Sequence, residues 1–483
     1  MFDREYEWSE LARFAAEPGR GALLGVVSGR RRQGKTFLLD ALCEATGGFF
    51  FAATEATESE SLRQLGHALA EHVRAPAPLH LDSWPQAFDI LLDLGRHKPT
   101  PVVIDEFPYL VSASPVLPSV LQAALRPRRR ERLESHSRII LCGSALSFMG
   151  KLLSGSAPLR GRAGLELTVS TLDYRRAAEF WGITHPRLAA AVHAVVGGTP
   201  AYRREYVRDD APESLRDFDA WIARTVLSPA SPLFREARYL LNEEPDLRDT
   251  ATYHSALAAI ADGNRTRGAI ANYLGRKATD VSHHLTVLED AGLLAREPDA
   301  FRANRPVYRV TEPLVNFYHA IVRPEWSRLE RPGHSVEVWR NARHRFESAV
   351  LGPHFEDICR TWAERFSAPD TFGAPMVRAA RGLVNAPREG RSYEIDVAVL
   401  GADEGGARRL LSIGEAKWGR VMDVSDLERL RHVRRLLASR EDIDLRETRL
   451  ACYSGGGFTS QLRAVAAREG VLLVDLDRLY LGG

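Results

Sequence analysis

The sequence predicts an α/β protein of several domains, led by a parallel β-sheet with helices on both faces. Three observations predict it. Short apolar runs at residues 23–28, 49–52, 102–104 and 139–141 alternate with helix-like segments. Strands that are apolar at every position are buried on both faces, as in parallel sheets. A glycine-rich turn follows the first run and leads straight into a helix. Finally, 483 residues exceed one compact core, since about 150 residues per domain gives a prior of roughly three.

Composition narrows the function classes. Hydrophobic residues make up 45% and charged residues 27%, which excludes disorder, collagen and coiled coil as the main architecture. Lys plus Arg is 65 and Asp plus Glu is 63, a net charge of +2, so any nucleic-acid contact must come from local patches. Only five of the basic residues are lysines, at 35, 98, 151, 277 and 417, and two of these fall in motifs. Cys43, Cys142, Cys359 and Cys452 form no CxxC pair and suggest no metal site; reduced, buried thiols are expected. The N-terminus is acidic and lacks a signal-peptide core, and no apolar run is long enough to span a membrane, so a soluble cytoplasmic chain is expected.

In order, a helix is expected at 37–45, and another at 61–74 from the spacing of Leu62, Leu65, Leu69 and Val73. Residues 170–245 read as helical and Arg-rich, broken at Gly197–Pro200. From 253 to about 322 a helix, a turn at Asp262-Gly263, two further helices and a strand pair form a compact unit. Residues 328–340 are polar and read as a linker. Helices at 345–366 and 425–439 and strands at 449–453 and 471–475 follow. The expected division is 1–165, an α/β core; 166–248, a helical unit; 249–327, the compact unit of helices and a strand pair; 328–340, the linker; and 341–483, a second α/β domain.

Gly29-Arg-Arg-Arg-Gln-Gly-Lys35-Thr36 matches GxxxxGK[ST] between a buried strand and a helix. Backbone amides of such a loop point at phosphates, and its glycines allow the close approach. Gly29, Arg32, Gln33, Gly34, Lys35, Thr36 and Phe37 are the expected ATP contacts. Lys35 reaches the β- and γ-phosphates, and the Thr36 hydroxyl coordinates Mg²⁺. The strand at 102–104 ends in Asp105 and Glu106. Asp105 fits the carboxylate that holds Mg²⁺, and Glu106 the base that polarises the attacking water. Ser144, after the strand at 139–141, is placed to hold the γ-phosphate or the water. Arg160 and Arg162 in PLRGR are candidates to stabilise transition-state charge. Such an arginine can come from a neighbouring subunit, which leaves a homo-oligomer open.

Taken together, Phe2-Asp3-Arg4-Glu5, GRRRQGKT, VVIDEFPYL, IILCGS, PLRGR, GGTPAY and GEAKW resemble the archaeal-type AAA-like ATPases of the STAND class that carry a C-terminal domain of unknown function. The resemblance runs the length of the chain. It implies ATP hydrolysis, a helical lid, Pro200 near the nucleotide, and Arg4 of the Asp3-Arg4-Glu5 box beside the base.

In the 249–327 unit, residues 268–275 read as the first helix of a helix-turn-helix and 279–292 as the recognition helix, with a wing at 293–310 carrying Arg296, Arg302, Arg305 and Arg309. Ser282, His283 and Thr286, with Arg302 and Arg305, are the candidate contacts to double-stranded DNA. The alternative is a winged helix that packs on the ATPase and transmits its state. Asp280, Glu289 and Asp290 weaken the electrostatics for DNA.

Near the end, Asp396 lies on an alternating strand on the same face as Glu394, and Glu415 and Lys417 share a face of the next. An acid, then E-x-K, then a helix resembles the PD-(D/E)xK nuclease core. The resemblance implies that Asp396 and Glu415 hold Mg²⁺, that Lys417 assists hydroxide or the pentavalent phosphate, and that Glu356 supplies the extra acid. An inactive, binding-only fold and a structural ion pair of Asp396 with Lys417 are the alternatives. The expected function is an ATP-gated switch acting on DNA; a regulator or scaffold with a dead nuclease fold is the competing one.

Overall fold

A computed structural model describes residues 2–19, 21–242, 247, 249–302, 304–403 and 408–482. The first sheet contains β1 (Leu23–Ser28), β2 (Phe49–Ala52), β3 (Thr100–Asp105), β4 (Ser137–Gly143) and β5 (Ala163–Thr168), in the order β2-β3-β4-β1-β5. Every neighbouring pair is parallel. β3 and β4 are buried along their whole length, as their uninterrupted apolar runs require. Helices Glu5–Ala16 and Lys35–Thr46 pack on one face, while Trp84–Asp93 belongs to the core of the other. Because β4 lies between β1 and β3, the carboxyl ends of all three open on one edge, where ligands bind in open α/β sheets.

Four α-helices follow among the described residues of the region expected as the lid: Tyr174–Trp181, Pro186–Val196, Leu215–Arg224 and Pro232–Asn242. A close backbone approach anchors the GGTP break. A Cβ on Gly198 would lie 1.8 Å from the Leu172 carbonyl oxygen, while the Leu172 amide donates to the Gly198 carbonyl at 3.0 Å. Gly198→Ala therefore forces two backbones apart and is expected to cost more than about 2 kcal/mol, read as a lowered urea midpoint.

The next unit has three helices, Thr250–Ala261, Arg267–Tyr273 and Ala278–Asp290, then an antiparallel pair, β6 (Leu294–Glu297) and β7 (Val307–Val310). Three helices and a strand pair thus stand in the order that the spacing implies. Between the two strands, Ala300 and Phe301 dock on the last domain and are buried in its core.

The expected linker is also corrected. Helix Ser335–Arg345 buries Val338 and Trp339, and the Trp339 indole donates to Asp219 of the lid at 2.8 Å. It continues through a π-helical turn, Phe346–Leu351, into helix Gly352–Arg365. Most of its polar residues are exposed or half-buried, and the two adjacent apolar ones, Val338 and Trp339, are buried. The last domain holds β8 (Met376–Ala386), β9 (Arg391–Gly401), β10 (Arg408–Lys417), β11 (Ile443–Asp444), β12 (Arg449–Ser454) and β13 (Leu472–Asp475). The order is β13-β12-β10-β9-β8, with β11 beside β10. β8, β9 and β10 pair antiparallel, and β10, β12 and β13 parallel. One continuous apolar core joins lid, winged-helix unit and last domain, so these parts are not separate beads. Among the described residues no helix is long and apolar enough to cross a membrane.

Candidate functional site

The edge formed by β1, β3 and β4 collects the P-loop residues. Gly29 adopts φ 152°, and a Cβ there would lie 2.5 Å from the Val169 carbonyl oxygen. Gly34 is left-handed and caps the helix that starts at Lys35. Both glycines are needed for the loop to turn its amides inward. Lys35 is buried and its ammonium donates to the Arg30 carbonyl at 2.9 Å. Burial lowers its pKa, and Glu106 and Asp105 act against that. The Thr36 hydroxyl donates to Asp105 Oδ2 at 2.7 Å, so the hydroxyl and carboxylate suited to share a divalent cation are already adjacent. This donor set fits Mg²⁺. Phe37, in the first helical turn, is exposed.

Glu106 sits in the left-handed region at φ 51°, a conformation uncommon for a non-glycine residue and frequent at functional sites. The Ser144 hydroxyl lies 3.1 Å from both its carboxylate oxygens, and Arg31 Nε donates to that hydroxyl at 3.1 Å. Arg31 also reaches the Tyr109 hydroxyl at 2.5 Å. Glu106 is thus parked against Ser144. Arg4 donates to the carbonyls of Gln33 at 3.2 Å and Ser170 at 2.8 Å, pinning the N-terminal box to the loop.

The other loop arginines tie the site to later parts of the chain. Arg32 pairs with Glu236 of the lid at 2.5 Å, and Tyr206 donates to the same carboxylate at 2.9 Å. Arg30 pairs with Glu312, just after the wing, at 2.9 Å. Beside the loop a cleft of about 460 Å³ runs between all four parts. Gly29, Gln33, Asp173 and Gly198 line its near end, and Arg309, His354 and Asp357 its far end.

Several expected residues stand elsewhere. Pro200 does not line the cleft; its neighbour Gly198 does. Arg160 is exposed and donates to the Gly155 carbonyl at 2.7 Å, and Arg162, half-buried, follows in the same turn; neither lines the cleft beside the loop. Ser282 is half-buried; its hydroxyl and that of Thr286 bond back to carbonyls of their own helix. His283 is exposed, as is Arg305, whereas Arg302 is half-buried beside the docked wing tip.

The C-terminal residues come together, but as ion pairs. Glu415 is buried, held by Lys417 at 2.5 Å and by Arg429 of helix Val424–Leu437. The Asp396 carboxylate accepts from the Ala416 amide at 2.8 Å. Arg381 pairs with Glu356 at 2.6 Å and Glu394 at 3.2 Å. The alternative of an Asp396–Lys417 ion pair gives way to a Glu415–Lys417 pair, with Lys417 still close enough to lower the Asp396 carboxyl against its burial. Among the described residues no group of three or more His, Cys, Asp or Glu is arranged to hold a metal. The expected set Glu356, Asp396 and Glu415 therefore does not fit Mg²⁺ in this arrangement, because cations already occupy Glu356 and Glu415. Sequence reading missed Arg429, Glu236 and Glu312; the last two lie 204 and 282 residues from their P-loop partners, beyond any spacing rule.

Buried histidines give a pH dependence. Burial holds His354 and His254 down to about 4, and His193 and His319 well below the usual range. His193 Nδ1 and His354 Nε2 share a hydrogen bond of 2.8 Å across lid and last domain. Below about pH 6.5 the unfolded chain takes up protons that the folded chain refuses, so stability falls as pH drops towards 4, by up to about 1.4 kcal/mol per unit for each group. Glu356, raised to about 7 by burial and then by Asp396, acts in the opposite sense between its unfolded value and 7. Burial raises the carboxyls of Asp299, Glu312 and Asp396 as well, in the same sense as Glu356, so the histidine contribution is read by difference: His254→Phe is expected to lose less melting temperature than the native chain on acidification from pH 6.5 to 5.

No protein-family profile matches the sequence. The chain is 26% identical over 402 residues to the uncharacterized protein MJECL04 of Methanocaldococcus jannaschii, covering 82% of this chain and 83% of that one. The ORC2 protein of Aeropyrum pernix, solved with ADPNP and ADP, aligns over 71% of this chain and 95% of its own at 16% identity and TM-score 0.42. The Walker-type ATPase PABY2304 of Pyrococcus abyssi aligns over 66% of this chain and 96% of its own, at 21% identity and TM-score 0.50. With the parallel sheet and its GxxxxGKT loop, that last likeness identifies the fold as that of a P-loop NTPase.

Proposed function

We propose that the chain binds ATP with Mg²⁺, hydrolyses it, and uses the nucleotide state to set the arrangement of its winged-helix and C-terminal parts. The observation that carries this reading is the contact of Thr36 with Asp105 inside a GxxxxGKT loop whose lysine is buried beside it. Lys35 would exchange the Arg30 carbonyl for phosphate oxygens, and the loop amides would hold the rest of the triphosphate. Mg²⁺ between Thr36 and Asp105 would neutralise phosphate charge. Glu106, once turned from Ser144, would accept the proton of the attacking water, leaving Ser144 to orient that water. The nucleoside would lie in the cleft beside the loop, which Asp173 and Gly198 line, with Arg4 bracing the loop through the Gln33 carbonyl. The test is phosphate release from ATP with Mg²⁺, compared with the same assay in EDTA; no release in either, with no nucleotide retained, would reject the reading.

At the output end, the E-x-K strand and its helix support action on DNA through a nuclease-like domain. The clamped Glu415 favours the second reading, a regulator or scaffold whose C-terminal fold binds without cutting. Plasmid cleavage with Mg²⁺ or Mn²⁺, with and without ATP, beside Lys417→Ala, separates them. Cleavage that needs Lys417 supports the nuclease; none under any condition, with ATP still hydrolysed, supports the regulator.

A further inference from the structure

We infer that the winged-helix unit is an inhibitory strap on the C-terminal domain, and that nucleotide at the P-loop loosens it through the Arg30–Glu312 pair. This rests on the proposed ATP binding.

The strap is built at the wing tip. The Ala300 amide donates to the Arg381 carbonyl of β8 at 2.8 Å, and Asp299 accepts from the Leu383 amide at 2.9 Å. Arg408 donates to the Ala300 carbonyl at 2.9 Å. Phe301 lies over Gly382, where a Cβ would come within 2.4 Å of its ring. A glycine on a central stretch of strand marks such a close approach. Arg381, whose carbonyl accepts the first of these bonds, is the residue that pairs with Glu356 and Glu394.

The same unit places two arginines on the acidic cluster. Arg309 of β7 lies 3.5 Å from Asp357, and Arg265 lies 3.9 Å from Glu356, its carbonyl accepting from the Tyr308 amide. Any cationic ligand of Glu356, Asp357 and Asp396 must displace these arginines, and any larger partner of β8 must displace the wing. At the other end of β7, Glu312 is buried against Arg30, and its second oxygen has no hydrogen-bond partner among the described residues. Thr311 bonds to the Gly292 carbonyl at 2.5 Å, closing the base of the hairpin, and Gly292 abuts Leu146 of the ATPase core. β7 is therefore a short strut. Arg309 and Glu312 are three residues apart, roughly 10 Å at about 3.3 Å per residue.

A triphosphate beside Arg30 competes with Glu312 for the guanidinium and brings negative charge towards a buried carboxylate. Leaving that carboxylate without its partner is strongly unfavourable. The hairpin can relieve this by moving Glu312 away from the loop, which draws Arg309 from Asp357 and the tip from β8. Linkage then requires that an undocked wing raise nucleotide affinity.

The test is hydrogen exchange by mass spectrometry on the full chain with Mg²⁺, with and without ADPNP, with ADPNP occupancy titrated in the same samples. Exchange at Asp299–Phe301 and Arg381–Leu383 is expected to rise about tenfold with ADPNP, within the usual range of coupling. Phe301→Ala should show the raised exchange without nucleotide and bind ADPNP more tightly. Glu312→Gln should bind ADPNP yet lose most of the change. ADPNP that binds and leaves both segments unchanged would overturn the strap alone. ADPNP that does not bind would overturn the ATP reading and the strap with it, and the titration distinguishes the two. An undiminished change in Glu312→Gln would overturn the Arg30–Glu312 route.

Discussion

Lys35→Ala is expected to lower ATP affinity by about 100-fold and to abolish hydrolysis at ordinary ATP concentrations. The ammonium is held on the Arg30 carbonyl of the loop, and the lysine itself is buried. Charge-assisted hydrogen bonds are worth roughly twice neutral ones, about 1.5–3 kcal/mol each, so loss of one or two gives this magnitude. Burial already lowers the lysine pKa, which means the charged form gains from an incoming anion. Calorimetric titration with ATP and Mg²⁺ measures the effect. Unchanged affinity would mean that the loop does not hold phosphate through Lys35. The variant is expected to fold, since among the described residues the lysine makes no ion pair within 4 Å, and the buried Asp105 carboxylate keeps its bonds from the Thr36 hydroxyl and the Glu106 amide.

Glu106→Gln is expected to retain ATP binding while hydrolysis falls about 10²- to 10⁴-fold, the usual contribution of a positioned general base. Glutamine keeps the shape and can still bond to Ser144, so the left-handed turn after β3 survives. Only the capacity to take the proton of water is lost. The assay is phosphate release at saturating ATP, with retention of labelled ATP as the binding control. A variant that hydrolyses at the native rate would remove Glu106 from the chemistry and leave it as a partner of Ser144.

These two variants also separate the ends of the molecule. If nucleotide binding moves the wing, Glu106→Gln should hold the chain in its ATP-bound arrangement, and Lys35→Ala in the nucleotide-free one. Exchange at the wing tip should then be persistently high with ATP in the first and unresponsive in the second.

The order of the P-loop site was legible because its residues are close in sequence and each follows a strand. Gly29, Gly34, Lys35 and Thr36 lie within eight positions, and Asp105, Glu106 and Ser144 each follow an apolar run. Repeated burial of β1, β3 and β4 then brings those strand ends to one edge. The C-terminal pattern was legible in the same way: Asp396 and Glu415 do lie on neighbouring strands, with Glu356 on the packed helix. Their pairing was not. Arg429 reaches Glu415 from a helix 14 residues on, and Arg381 reaches Glu356 from another strand. In a chain with 65 basic residues, nothing local distinguishes these arginines from solvated ones.

The sequence by itself determined the fold class, the strand-loop-helix of the P-loop, the carboxylate pair after β3 and the strand pair that follows three helices. All of these follow from local periodicity and glycine geometry within short windows. Tertiary structure alone decided which surfaces are free. It seated the wing on β8, turned the expected linker into a helix packed on the lid, and tied Arg30 and Arg32 to Glu312 and Glu236. Those outcomes depend on burial and charge pairing between segments 84 to 282 residues apart, where each partner's sequence is compatible with solvent and only the shared core selects the contact.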